Sequence, residues 1–175
     1  MHFELKSISV QSIPEALAKV DRYRLLNEPV LAESICLDVL AIVPDHQQAL
    51  VSLLLARTDQ LPSTLQPKGA QDVLAQIKGE YEQAYYAGVI WERLGSARIR
   101  QGERGAGISA YQALRDAMDY YERAMDFAPP GNDEAILRWN TCARMIMQNP
   151  DIRPLPEHDP QAWLRDEAGS RIADA

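Results

Sequence analysis

An all-α fold is predicted for this chain by three observations. Helix-start signals recur along it, at Ser12-Ile13-Pro14-Glu15, at Asn27-Glu28-Pro29, at Asp45 with Gln48, and at Asp133. Apolar residues return at spacings of three and four, most clearly in Ile108, Tyr111, Leu114, Met118 and Tyr121, which is the period of one helix face. The alternating apolar and polar runs that mark strands are nearly absent. A length of 175 residues fits one domain that buries about 70% of its unfolded surface. A hydrophobic content of 46% and a charged content of 25% are ordinary for a soluble globular chain.

Ser12 and Glu15 form a capping box with proline near the first helical position, which opens helix one. That helix is predicted to run to about Leu26. Helix two restarts after Asn27-Glu28-Pro29, carries Val30, Ile35, Val39 and Ile42 as its apolar stripe, and ends at Pro44, which cannot donate a backbone bond. Asp45 with Gln48 caps helix three, which continues through Leu50, Leu53, Leu54 and Ala56. Leu61 to Gly69 holds prolines and a glycine in a short polar stretch and reads as a loop rather than a helix. Ala70, Leu74 and Ile77 then supply a short return helix. A long helix is expected from about Gly107 to Ala128. A last one starts near Asp133, is striped by Ala135, Ile136, Trp139, Cys142 and Ile146, and stops at Asn149-Pro150. Residues 1–11 thus form a lead-in, 12–149 the helical domain, and 150–175 a polar tail. That tail is expected to be partly disordered or to hold one short helix, after Asp159-Pro160, carrying Trp163 and Leu164.

Residues 91 to 130 carry a more specific pattern. Trp91, Leu94, Gly95, Ala97, Gln101 and Gly102 form its first half, and Ala117, Tyr121, Ala124, Met125, Phe127 and Pro129 its second. Together they resemble a tetratricopeptide repeat (TPR), a helix-turn-helix unit of about 34 residues. Between the halves this chain is about ten residues longer than the pattern, close to three helical turns, so a lengthened second helix keeps its stripe in register. Ala32, Cys36, Val39, Leu40, Ile42 and Pro44 match the second helix of an earlier unit, whereas Lys19 and Val20 fit its first helix poorly. The resemblance covers about residues 12 to 148 and implies a short right-handed α-solenoid of about three degenerate TPR-like units plus a terminal capping helix. It also implies a cytoplasmic scaffold or adaptor that binds protein in a concave groove.

Charge and motif content narrow the function classes. A net charge of −7 argues against a general nucleic-acid binder and against docking on an anionic membrane. The chain lacks an apolar run of about 18 residues, and MHFELKSISV lacks a basic n-region followed by an apolar stretch, so the cytoplasm is the expected compartment. Cys36 and Cys142 lie inside apolar helical patterns and read as reduced, buried thiols. His2, His46 and His158 share no helical metal-ligand spacing, and Glu157-His158-Asp159 reads as a solvated polar segment. No nucleophile elbow or phosphate-binding loop is present, and Gly102, Gly105 and Gly107 read as a helix connection. A non-catalytic protein without cofactor or metal is therefore expected. Tyr81, Tyr85, Tyr86, Trp91, Tyr120, Tyr121 and Trp139 read as mostly core, with Tyr81 and Tyr85 one turn apart and able to reach the surface.

The resemblance also assigns positions to the groove. On the first helix of the clearest unit these are Val89, Glu92, Arg93, Ser96, Ile99 and Arg100; on the last helix they are Glu134, Leu137, Arg138, Thr141, Arg144 and Met145. Arg93, Arg100, Arg138 and Arg144 would then share one inner surface of an acidic protein, with Ser96, Leu137 and Thr141 beside them. Planar guanidinium groups suit carboxylates because they donate two parallel bonds. One reading is a groove for an acidic or C-terminal peptide; the other is solvated arginines paired with Glu92, Glu134 or nearby acids. The subtype that clamps chaperone C-termini is not matched: only Arg138 fits it, and Glu134 stands where a lysine is expected. Two further functions stay open, a small acidic chaperone for a dedicated client and a self-associating protein clasped by its C-terminal tail as a homodimer.

Overall fold

The computed structural model describes residues 3–103 and 105–155, and every regular element among them is helical. A 3₁₀ turn at Val10–Ser12 leads into α1 (Ile13–Leu25), followed by α2 (Pro29–Ile42), α3 (Gln47–Asp59), α4 (Leu61–Thr64), α5 (Lys68–Leu74), α6 (Glu80–Gln101), α7 (Ala106–Met125) and α8 (Glu134–Gln148). Helices adjacent in sequence pack on one another: α1 on α2, α2 on α3, α3 on α5, α6 on α7 and α7 on α8. Among the described residues no helix is long and apolar enough to cross a membrane.

The helix starts use different side chains from those their sequences advertise. Ser12 donates its hydroxyl to the carbonyl of Ser9 at 2.8 Å rather than capping α1, because its backbone already continues the 3₁₀ turn into the helix. The cap of α3 is His46, not Asp45: its Nδ1 accepts from the Ala49 amide at 3.3 Å. Asp45 instead reaches the Lys78 ammonium at 3.1 Å. Asp133 is the N-cap position of α8, as expected, but its side chain makes no capping bond; Asn132 accepts from the Glu134 amide at 3.1 Å. Leu61 to Gly69 is not all loop. Leu61 is 1% exposed, and burying it beside Leu94 and Ala97 folds Leu61–Thr64 into a turn of helix around Pro62, which is tolerated near a helix start.

Two cores share the chain. The first gathers Val20, Ala32, Cys36, Leu50, Leu53, Leu54, Val73 and Ile77 from α1 to α5 and the turn after it, with Ile90 of α6 entering from the side. In α2 the buried stripe is Ala32, Cys36 and Val39, with Ile35 and Ile42 partly buried beside it, while Val30 is 64% exposed. The second core lies between α6, α7 and α8 and includes Val89, Leu114, Met118, Tyr121, Ala135, Cys142 and Ile152. Ile152, four residues beyond α8, is 4% exposed; the ordered fold therefore continues past Asn149.

The α6–α7 contact sets the geometry of that second core. A Cβ on Gly88 would stand 2.5 Å from Cε1 of Tyr121, and one on Gly95 would stand 3.0 Å from Cγ of Leu114. These glycines are seven residues apart on α6 and their partners seven apart in reverse order on α7, so the helices run antiparallel with two large side chains seated in two notches. A third glycine, Gly107, lies so close to the Asp151 carbonyl that no Cβ fits there. Between the cores, α5 passes to α6 through Gly79, whose φ of +96° belongs to the left-handed region that favours glycine. Gly88→Ala is expected to lower the unfolding free energy by about 1–3 kcal/mol through overpacking against a ring that cannot retreat, although alanine is the better helix former. Urea unfolding followed by circular dichroism checks it: a rise in stability would mean that Tyr121 can move aside.

Candidate functional site

Three of the four predicted arginines converge on one hollow. Arg93, Ser96 and Arg100 of α6 and Arg138 of α8 line a pocket of about 410 Å³ together with Asn27, Thr58, Asp59, Pro62 and Glu92. The positions on α6 recur every three or four residues and so share a face. The opposite wall comes from the last turn of α3 and from the α1–α2 turn, where Asn27 adopts a φ of 59°. Asparagine tolerates that conformation better than most residues.

Two carboxylates organise the guanidinium groups. Asp59 accepts from Arg24 Nε at 2.8 Å and also pairs closely with Arg93. Glu92 accepts from Arg138 Nη1 at 3.0 Å on both oxygens, and from the Tyr121 hydroxyl at 2.6 Å. Arg138 Nε donates to the Tyr85 hydroxyl at 2.9 Å, and its guanidinium lies 5.8 Å from the Tyr85 ring centre. Burial opposes the charge of Arg138, but Glu92, Tyr121 and Tyr85 outweigh it and hold the group above the usual arginine range. Arg93 goes the other way. Burial first, then the guanidinium groups of Arg24, Arg138 and Arg100, bring it down to about 10; the lining itself holds three arginines against two acids. Tyr121 is raised, by burial and then by Glu92, and keeps its proton to donate.

The remaining predicted groove residues are not gathered there. Arg144 and Thr141 are exposed on α8 and Leu137 is 59% exposed, none of them lining the pocket. The Thr141 hydroxyl returns to the Leu137 carbonyl at 2.9 Å. Val89, expected on the inner face, is fully buried in the cluster that contains Ala135 and Cys142 of α8. Ile99 lines a separate hollow with Gly107 and Ile152, and Met145 packs against the second core. Arg93 and Arg138 thus fall to the paired reading. Glu92 is one of the acids expected; Asp59 is the other, while Glu134 meets Tyr85 at 3.4 Å.

Asp59, Arg24 and Asn27 are site residues that repeat positions do not point to. Asp59 has a local signal: an acid in the last turn of a helix faces the negative end of the dipole, a placement that only a cation from elsewhere offsets. Among the described residues no group of histidine, cysteine and acid side chains is arranged to hold a metal. His46 is used as a cap, and Glu157-His158-Asp159, Trp163 and Leu164 lie outside the described residues. Gly102 and Gly105 take positive φ values of 64° and 83° in the α6–α7 connection.

Cys36 and Cys142 are both fully buried, and burial above all pushes each thiol up to about 12. Because the native thiols hold protons more tightly than free ones, their contribution to stability is intact below pH 9 and is lost as pH rises toward 12. Both should resist an aromatic disulfide reagent in native protein at pH 8 and react once urea is added; fast native labelling would contradict their burial. Glu92→Ala strands the Arg138 guanidinium and the Tyr121 hydroxyl together, and is expected to lower the unfolding free energy by about 3 kcal/mol. A change under about 0.5 kcal/mol in urea unfolding would show that the network adds nothing to the fold.

Comparison with family models, with curated proteins and with solved structures finds no match for this chain.

Proposed function

We propose that this protein is a non-catalytic interaction module that holds an acidic peptide segment in the arginine pocket. In this reading α1 with α2, α3 with α5, and α6 with α7 form three TPR-like units of a short right-handed solenoid, with α8 as the closing helix. The pairwise packing of consecutive helices supports it, as do the notched α6–α7 contact and the match of Trp91 to Pro129 to the repeat pattern. The buried free thiols fit a reducing compartment, so the proposal places the module in the cytoplasm.

Arg100 is the observation that carries the binding role. It lines the pocket, is exposed, and among the described residues makes no ion pair. Arg93 and Arg138 are held in place by Asp59 and Glu92, and a guanidinium has more donors than those pairs use. A ligand carboxylate would therefore meet one free cation and two preorganised ones, at little cost in ordering side chains. Ser96 and Asn27 add neutral polar groups around the same opening.

Charge reversal at Arg93 or Arg138 would break the internal pairs, so Arg100→Glu is the cleaner test. A fluorescein-labelled glutamate-rich peptide with a free C-terminus is expected to bind wild type in fluorescence polarisation, and more weakly as salt is raised. Arg100→Glu should weaken it about tenfold or more, which corresponds to about 1.4 kcal/mol. Arg144→Glu, outside the pocket, should leave it unchanged. Equal losses in the two variants would mean that only net charge is sensed, and the pocket reading would fall.

A further inference from the structure

The side of α6 away from the arginine pocket carries a second groove of opposite chemistry. Two adjoining hollows of about 410 and 290 Å³ share Tyr120 and Arg123. The larger is floored by Leu74, Ala84, Ala87 and Phe127; the smaller is walled by Trp91 and Tyr120 and edged by Asp116 and Asp119. Their α6 residues, 80 to 91 at spacings of three and four, lie roughly 180° around the helix from residues 92, 93, 96 and 100 at about 100° per residue. The groove is left open because α5 ends at Leu74, after seven residues, too short to cover α7. Phe127 is 45% exposed as a result.

We propose that this groove docks a basic segment of a partner protein. In it a lysine or arginine side chain enters between Trp91 and Tyr120 against Asp116 and Asp119, while a neighbouring apolar side chain packs on Leu74, Ala87 and Phe127. Three features point to that occupant. The lining carries the carboxylates of Glu80, Asp116 and Asp119 against the one guanidinium of Arg123, so its charge is complementary to a cation. The carboxylates are weakly engaged: Asp116 accepts from Gln112 on Oδ1 at 2.8 Å, and Asp119 stands 3.7 Å from Arg115 across an exposed helical turn, an arrangement worth little in water. Finally, Arg123 itself lies over the Tyr120 ring at 5.7 Å, showing that the ring accepts a cation on its open face. Arg123 is exposed, so an incoming cation can displace it and gain a second aromatic wall and two carboxylates.

The occupant is a peptide rather than a nucleic acid, since a phosphate backbone would be repelled by the same three carboxylates. The groove is independent of the arginine pocket and its test is separable from that of the proposed function. The probe is a fluorescein-labelled peptide of repeating Lys-Leu-Lys-Ser composition, with a leucine-free version beside it. Wild type should bind the first more tightly than the second. Asp116→Asn/Asp119→Asn should weaken the first at least tenfold while leaving the acidic peptide bound at the arginine pocket as before. Asp21→Asn/Glu28→Asn, which removes the same charge from exposed positions on α1 and the turn after it, should change binding less than twofold, and Arg100→Glu should not weaken it. Trp91→Leu adds a check on the aromatic wall and should also weaken the lysine peptide. Failure of wild type to bind, equal loss in the two charge-removal variants, or equal affinity for the leucine-free peptide would each overturn the proposal.

Discussion

The hydroxyl of Tyr121 is buried between two helices and donates to Glu92 at 2.6 Å, and most of the site's geometry descends from that one bond. The ring sits in the notch of Gly88, which fixes how far α7 has slid along α6. The bond in turn fixes the rotamer of Glu92. Glu92 then presents both oxygens to Arg138 and so draws α8 against α6. A buried phenol without an acceptor costs about 1–3 kcal/mol, so packing and polar pairing have to be satisfied at the same place. Neither is free to change without the other.

One helix therefore serves as a wall shared by two surfaces. Its polar stripe of Glu92, Arg93, Ser96 and Arg100 turns toward the α3 end and α8. Its other face, Glu80, Ala84, Ala87 and Trp91, turns toward the gap beside the short α5. The remaining sectors are filled by Ile90 reaching the first core and by Leu94 and Ala97 against Leu61. In a protein with a net charge of −7, grouping arginines on one side leaves the other side acidic. The pocket's excess of cations, three arginines against two acids, is thus a matter of placement rather than composition.

Much of this was legible in the residues. Prolines 29, 44 and 150 mark real helix boundaries, and the long α7 is present as Ala106–Met125, because a lengthening of whole turns preserves the buried stripe. Caps were less legible. Ser12, Asp45 and Asp133 have the right chemistry, but the Ser12 hydroxyl is drawn to the Ser9 carbonyl, and His46 and Asn132, each one residue from the expected acid, take the amides. In the expected stripe of α2, Val39 is buried and Ile35 and Ile42 pack against the cores, but Val30 is exposed; PVLAESICLDVLAI is apolar nearly all round, so periodicity fixes its phase poorly. The arginines of the pocket were legible from the register of the repeat pattern. Their partners were not: Asp59 lies 34 residues from Arg93, and no spacing rule spans such a gap. Val89 shows the limit of the same register, since a position can face a groove and still be roofed by the next helix.

The turn at Lys78-Gly79 divides the chain into two halves. The halves, α1 to α5 and α6 to α8, meet where α6 packs on α3, α4 and α5, with Ile90 reaching the first core and Leu61 beside Leu94 and Ala97. The arginine pocket straddles this seam, with Asn27, Thr58 and Asp59 on one side and Arg93, Ser96, Arg100 and Arg138 on the other. Asp59, tied to Arg24 on its own half and to Arg93 across the gap, therefore joins the two walls of the pocket through one carboxylate.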